Sequence, residues 1–134
     1  MRFAFVGKGG AGKSLIVGTF ARVLGAAGER VLALDSDPMP GLVFSLGLDQ
    51  AAVGDVGFPD EATVAAPEGE HPPYRLRPGL RGPDAVCLYA VRGPDGVHFR
   101  QLGKSRGQRG ATRGHWAYQQ ILEDLPQDDW TCLL

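Results

Sequence analysis

The chain is poor in the residues that carry metal and redox chemistry. Among its 134 residues there are two cysteines, Cys87 and Cys132, and three histidines. The cysteines stand in neither a C-x-C nor a C-x-x-C spacing, which argues against a zinc or iron–sulfur site built within one chain. Both lie in apolar runs and read as buried free thiols. No apolar run approaches the roughly 20 residues that span a bilayer. No secretory leader precedes the first apolar run, so the expectation is a cytoplasmic chain with no membrane partner. A large excess of one charge is also lacking, with a net charge of −1. Hydrophobic residues make up 43%, which at this length is enough for one domain with a core, 1–134.

The charge is unevenly placed. Residues 75–113 hold nine basic residues (Arg75, Arg77, Arg81, Arg92, Arg100, Lys104, Arg106, Arg109, Arg113) against Asp84 and Asp95. The glycine-rich part of this block, 103–114, reads as a flexible basic loop: a solvated surface, or a site for an anion, an acidic partner or nucleic acid. It has no aromatic residue before Trp116, so a base-stacking platform is poorly supported and nucleic acid is not the favoured partner.

What the chain has in quantity is glycine, 20 residues. Gly7-Lys8-Gly9-Gly10-Ala11-Gly12-Lys13-Ser14 fits G-x-x-x-x-G-K-[ST]. Arg2–Val6 reads as a short buried strand before it and Leu15–Ala27 as a helix after it, with Leu15, Ile16, Thr19, Phe20, Val23, Leu24 and Ala27 on the packed face. Strand, glycine loop and helix in that order suit phosphate binding. Backbone N–H groups of the loop wrap the anion and the helix N-terminus adds its positive dipole end. Gly7, Gly9, Gly10, Ala11, Gly12, Lys13 and Ser14 are the candidate nucleotide-binding residues. Lys13 reaches the β- and γ-phosphates and Ser14 holds Mg²⁺.

Arg30–Leu34 is a nearly continuous apolar run, a second strand buried on both faces and parallel to the first. It delivers Asp35-Ser36-Asp37-Pro38 to the carboxyl end of the sheet, where ligands of open parallel sheets sit. Leu42, Val43, Leu46 and Leu48 suggest a short helix ending at Gly47. Residues 49–83 show neither period and read as an irregular excursion. Ala85–Val91 reads as an apolar strand, Gly93-Pro94-Asp95-Gly96 as a turn, and Val97–Leu102 as a strand with Val97, Phe99 and Gln101 on one face. His98 falls on the other, expected to face solvent. His115–Leu125 reads as a helix stopped by Pro126, and Trp130–Leu134 as a further buried strand.

The run Lys8–Ser14, with a second lysine after the first glycine, resembles the deviant P-loop of the MinD/ParA family of ATPases. Asp-x-Asp-Pro closing the second strand strengthens the resemblance. Val31-Leu32-Ala33-Leu34-Asp35-Ser36-Asp37-Pro38 and Leu46-Gly47 are most similar to the CooC-type nickel-insertion ATPases. The resemblance implies an α/β fold of the P-loop NTPase type, a mostly parallel sheet with flanking helices. It covers the N-terminal half of the family's domain, so an incomplete domain is expected, carrying the β-hairpin near 85–102. It further implies ATP and Mg²⁺ as cofactors. Asp35 would hold a Mg²⁺-bound water and Asp37 would orient the attacking water. Lys8 would act across a homodimer, making Lys8, Lys13 and Asp37 the catalytic set and Ser14 and Asp35 the metal set.

Two departures qualify this. The family usually has an asparagine four residues after the second aspartate, where this chain has Gly41 after Pro40. That implies a looser or differently shaped switch, with turnover slow or lost and nucleotide binding retained. CooC-type proteins usually carry Gly-x-Gly-Cys-x-Cys where this chain reads Gly107-Gln108-Arg109-Gly110-Ala111-Thr112-Arg113, so the thiolates a borderline metal wants are missing. The expected function is that of an ATPase whose nucleotide-driven dimerisation acts on a client protein. The alternatives are a non-hydrolysing nucleotide-binding adaptor and a partition-type ATPase with a basic nucleic-acid segment.

Overall fold

The computed structural model describes residues 1–37, 41–53, 60–101, 108–126 and 128–134, with backbone alone at 52, 60 and 108–114. A five-stranded sheet organises it. Its strands are β1 (Arg2–Phe3), β2 (Val31–Asp35), β5 (Val91–Arg92), β6 (His98–Gln101) and β7 (Thr131–Leu133), in the order β1-β7-β2-β6-β5. β1, β7, β2 and β6 run parallel, and only the edge strand β5 is antiparallel. β2 lies at the centre, all five of its residues buried, as its unbroken apolar run predicts.

Alternation along β2 feeds two cores. Val31 and Ala33 face α1 (Lys13–Ala26) and α2 (Leu42–Ser45), packing with Val17, Ala21, Val43, Leu46 and Phe99. Leu32 and Leu34 face α4 (Gly82–Tyr89) and α5 (Gln108–Asp124), packing with Val86, Tyr118, Ile121 and Trp130. Helices on both faces of a parallel sheet are the α/β architecture the sequence implies. A short α3 (Gln50–Val53) follows α2.

Several local expectations are corrected. Ala85–Val91 is not a strand. Its larger part belongs to α4, which opens with Pro83 in its first turn and Asp84 near its positive end. Ala85 and Val86 are buried while Cys87 is exposed and Leu88 is 63% exposed, a helical sequence of faces. The helix docks tightly because Gly82 has no side chain. A Cβ there would stand 3.0 Å from the Ile121 carbonyl, and the Gly82 N–H donates to Asp124 Oδ2 at 3.3 Å. The hairpin is therefore β5–β6, closed at 93–97 with Asp95 at φ 57. Cys132 is buried as expected.

Residues 60–83 are more ordered than their missing period suggests. β3 (Thr63–Ala65) and β4 (Tyr74–Leu76) form a separate antiparallel pair, tied to α5 where Leu76 N–H donates to Gln120 Oε1 at 2.8 Å. The expected basic loop 103–114 is helical from 108 on, and 102–107 lie outside the described residues. On α1 the buried residues are Val17, Gly18 and Ala21; of the expected face Phe20 and Leu24 pack half-buried on the same core, whereas Leu15, Ile16 and Val23 are 65%, 56% and 60% exposed. Small residues win that face because α2 lies so close: a Cβ on Gly18 would be 2.6 Å from Ser45 Cβ.

His98 does not face solvent. Its ring meets the edge of Trp130 at a centroid distance of 5.2 Å, and its Nδ1 is buried without a hydrogen-bond partner. Burial first, then the nearby Arg92 charge, hold its pKa below the usual 6.5.

Candidate functional site

The loop between β1 and α1 turns on its glycines. Gly10 and Gly12 adopt φ 77 and 78, a left-handed region where a Cβ is strained. Gly12 caps α1, and neither a capping side chain nor an acidic residue sits in the first turn. The N-terminal N–H groups of α1 thus keep their capacity for an anion. Ala11 N–H donates to the Lys8 carbonyl at 3.3 Å, closing the loop. Lys13 folds back over it: Nζ donates to the carbonyls of Gly7 at 2.9 Å and Lys8 at 3.1 Å.

Opposite stands the segment after β2. Asp35 is 7% exposed, and its carboxylate is held by backbone donors. Oδ1 accepts from Asp37 N–H at 3.1 Å, and Oδ2 from Gly41 N–H at 3.2 Å and Leu42 N–H at 3.1 Å. A buried carboxylate needs such donors, and here they also satisfy the first amides of α2. Gly41 lies against Ser14, with an ideal Cβ 2.7 Å from Ser14 Oγ.

Between the two lips is a cleft of about 350 Å³ lined by Phe5, Val6, Gly7, Lys13, Ser14, Val17, Leu34, Asp35, Ser36, Asp37, Leu42 and Leu134. It lies at the carboxyl ends of the parallel strands. The structure brings Gly7, Lys13, Ser14, Asp35 and Asp37 to one cavity. Gly9, Gly10, Ala11 and Gly12 form the exposed outer rim, and Lys8 is exposed and outside the cleft lining. Sequence reasoning missed three participants. The Gly41 and Leu42 amides leave as their only sequence signal a glycine just before an apolar helix. Leu134 joins because its N–H bonds the Phe3 carbonyl at 2.9 Å, seating it beside the loop strand.

Among the described residues no group of three or more His, Cys, Asp or Glu side chains is placed to hold a metal. The groups facing the cleft that can hold a hard cation are oxygen only, the hydroxyls of Ser14 and Ser36 and the carboxylates of Asp35 and Asp37. That suits Mg²⁺, which takes one or two protein ligands and completes its shell with phosphate and water. The residues fit magnesium and offer nothing to a thiophilic ion. No described helix is long and apolar enough to cross a membrane.

A profile of the CobQ/CobB/MinD/ParA nucleotide binding domain matches residues 3–113. A stretch of 48 residues, 36% of this chain, is 50% identical to the carbon monoxide dehydrogenase accessory protein CooC of Rhodospirillum rubrum. A stretch of 53 residues, 40% of the chain, is 38% identical to an uncharacterized ATP-binding protein of Methanocaldococcus jannaschii. These matches span 18% and 21% of the lengths of the two relatives.

Proposed function

Because this chain belongs to the CobQ/CobB/MinD/ParA nucleotide-binding family, we propose that it binds ATP with Mg²⁺ and hydrolyses it in a nucleotide-driven homodimer that acts on a client protein. The observation that carries this reading is the single cleft shared by Lys13, Ser14, Asp35 and Asp37. Lys13 leaves the Gly7 and Lys8 carbonyls for phosphate oxygens, exchanging neutral acceptors for charged ones. The α1 N-terminus and the loop amides take the remaining phosphate charge. Ser14 supplies a direct metal ligand, and Asp35 one through water. Asp37 orients the attacking water. Bound magnesium neutralises charge on the phosphates, the main demand of phosphoryl transfer. Lys8, exposed and outside the lining of its own cleft, serves the partner's site. Val6, Leu15 and Ile16, which flank the loop in the chain, are 91%, 65% and 56% exposed, apolar surface that a second copy would cover. The client is a protein of unassigned identity. A cytoplasmic setting belongs to the same reading.

Gly41 favours the non-hydrolysing adaptor as the second reading, since it brings no side chain to the cleft. The basic block gives less support to a nucleic-acid role. Arg75 and Arg81 are near Glu70 and Asp84 at 3.9 and 3.5 Å, and Arg100 donates to the Tyr89 carbonyl at 3.3 Å.

The test is ATP titration with and without Mg²⁺, with mass measured by light scattering and phosphate release followed in parallel. Lys13→Ala is expected to weaken ATP binding about 10- to 100-fold, the range for losing a hydrogen bond to a charged group. Lys8→Ala is expected to keep binding and lose the ATP-dependent dimer. A wild-type chain that binds no ATP refutes the proposal. Tight binding without phosphate release selects the adaptor.

A further inference from the structure

Gly41 touches both members of the metal pair. Its N–H donates to Asp35 Oδ2 at 3.2 Å, and its Cα lies so near Ser14 that an added Cβ would be 2.7 Å from Oγ and 3.2 Å from Cβ of that serine. Its backbone, φ −118 and ψ −25, is open to any L residue. Glycine is therefore needed here for space and not for conformation. We propose that Gly41 is a positioning residue of the magnesium site: its missing side chain lets the start of α2 wedge between Ser14 and Asp35 and set the spacing of the two side chains that share the metal.

The wedge is backed by α2 itself. Leu42, Val43 and Leu46 are 3%, 0% and 0% exposed, so α2 resists retreat from the sheet. Leu42 N–H adds a second bond to Asp35 Oδ2 at 3.1 Å, so the carboxylate cannot turn unless α2 moves. A side chain at 41 forces one of two responses. Ser14 Oγ can rotate away from the 2.7 Å clash, which removes it from the metal. Otherwise α2 backs off and Asp35 loses its amide partners. The 3.2 Å approach to Ser14 Cβ is met by any Cβ at 41 and is not relieved by rotation, so even alanine shifts α2 by a few tenths of an ångström, and the added methyl groups of valine push it further. Both change the metal pair and leave the phosphate cradle of Gly7, Gly12 and Lys13 intact.

This rests on the nucleotide-binding reading above, and the experiment separates the two. The affinity of the full chain for a fluorescent ATP analogue is measured in Mg²⁺ and in EDTA, for wild type, Gly41→Ala and Gly41→Val. The expected result is a Mg²⁺-dependent gain that falls about tenfold in Gly41→Val, as for one lost charge-assisted contact. Gly41→Ala, where Ser14 can turn, shows a smaller fall in the same direction. Affinity in EDTA stays at the wild-type value in both. A purely structural role for Gly41 would lower both affinities together, and that outcome overturns the inference. So does a Mg²⁺-dependent gain that both variants keep. If Gly41→Val does not fold, Gly41→Ala decides on the same ratio. A wild-type chain with no affinity in either condition overturns the nucleotide-binding reading and this inference with it. A wild-type chain with a Mg²⁺-dependent gain retains that reading whatever the variants do.

Discussion

The two lips of the cleft are held by different forces. The loop of residues 7–14 is an exposed backbone turn shaped by left-handed glycines and closed by main-chain bonds. The facing lip, Asp35 to Asp37 with Gly41 and Leu42, is organised by a buried carboxylate gathering three backbone N–H groups. The first gains its shape from conformational freedom, and its amides remain available to a ligand. The second gains its shape from satisfied buried polarity, and its amides are already engaged.

The largest expected effect is on the latched side. Asp35→Ala strands the Gly41 and Leu42 amides and should cost about 3 kcal/mol of stability in urea unfolding, the scale for unpaired buried donors. A cost near zero would show that the carboxylate does not hold this lip. On the open side the effect should be smaller and confined to left-handed positions. Gly12→Ala meets nothing within 4 Å, so its cost is conformational only, about 1–2 kcal/mol. Gly9→Ala has equal space without a left-handed φ and should change stability by less than about 0.5 kcal/mol. Equal costs at 9 and 12 would mean that loop geometry does not rest on φ.

The smallest effect is expected at the far end of the sheet, a control outside both lips. The pKa of His98 is lowered on folding, so the unfolded chain binds the proton more readily. The stability His98 contributes is fully present above the usual pKa of 6.5 and is lost as pH falls below it, through the lower folded value. His98→Gln should flatten that part of a pH–stability curve and leave the Mg²⁺ dependence of nucleotide binding unchanged. An unaltered slope would remove His98 as its source.

How much was legible differs between the lips for the same reason. The glycine loop is local. Its glycines, Lys13 and Ser14 are adjacent in the chain, and a strand and a helix flank them as short patterns predict, although the strand is only Arg2–Phe3 and is not buried as expected, with Val6 91% exposed. The family resemblance rests on that stretch and on Asp35 and Asp37. The latched lip is not local in this sense. Nothing in the spacing of Asp35 and Gly41 says that one carboxylate caps the other's helix, because the bonds depend on where α2 lands. Ala85–Val91 was misread because an apolar run of that length suits a buried strand or a helix. The decision came from Gly82 fitting onto α5 at Ile121. The face of α1 was misread because hydrophobicity favours Leu15 and Val23, whereas close approach favours Gly18 and Ala21.

By itself the sequence determined the phosphate loop, the central strand, and the delivery of two aspartates to the same end of the sheet. Each depends on residues near one another in the chain, or on a strand buried on both sides. Only the tertiary structure decided which helix faces are covered, that residues 82–89 are helical, and that Gly41 joins Ser14 to Asp35. Those outcomes depend on close contact between distant segments, where the absence of one Cβ counts for more than hydrophobic pattern.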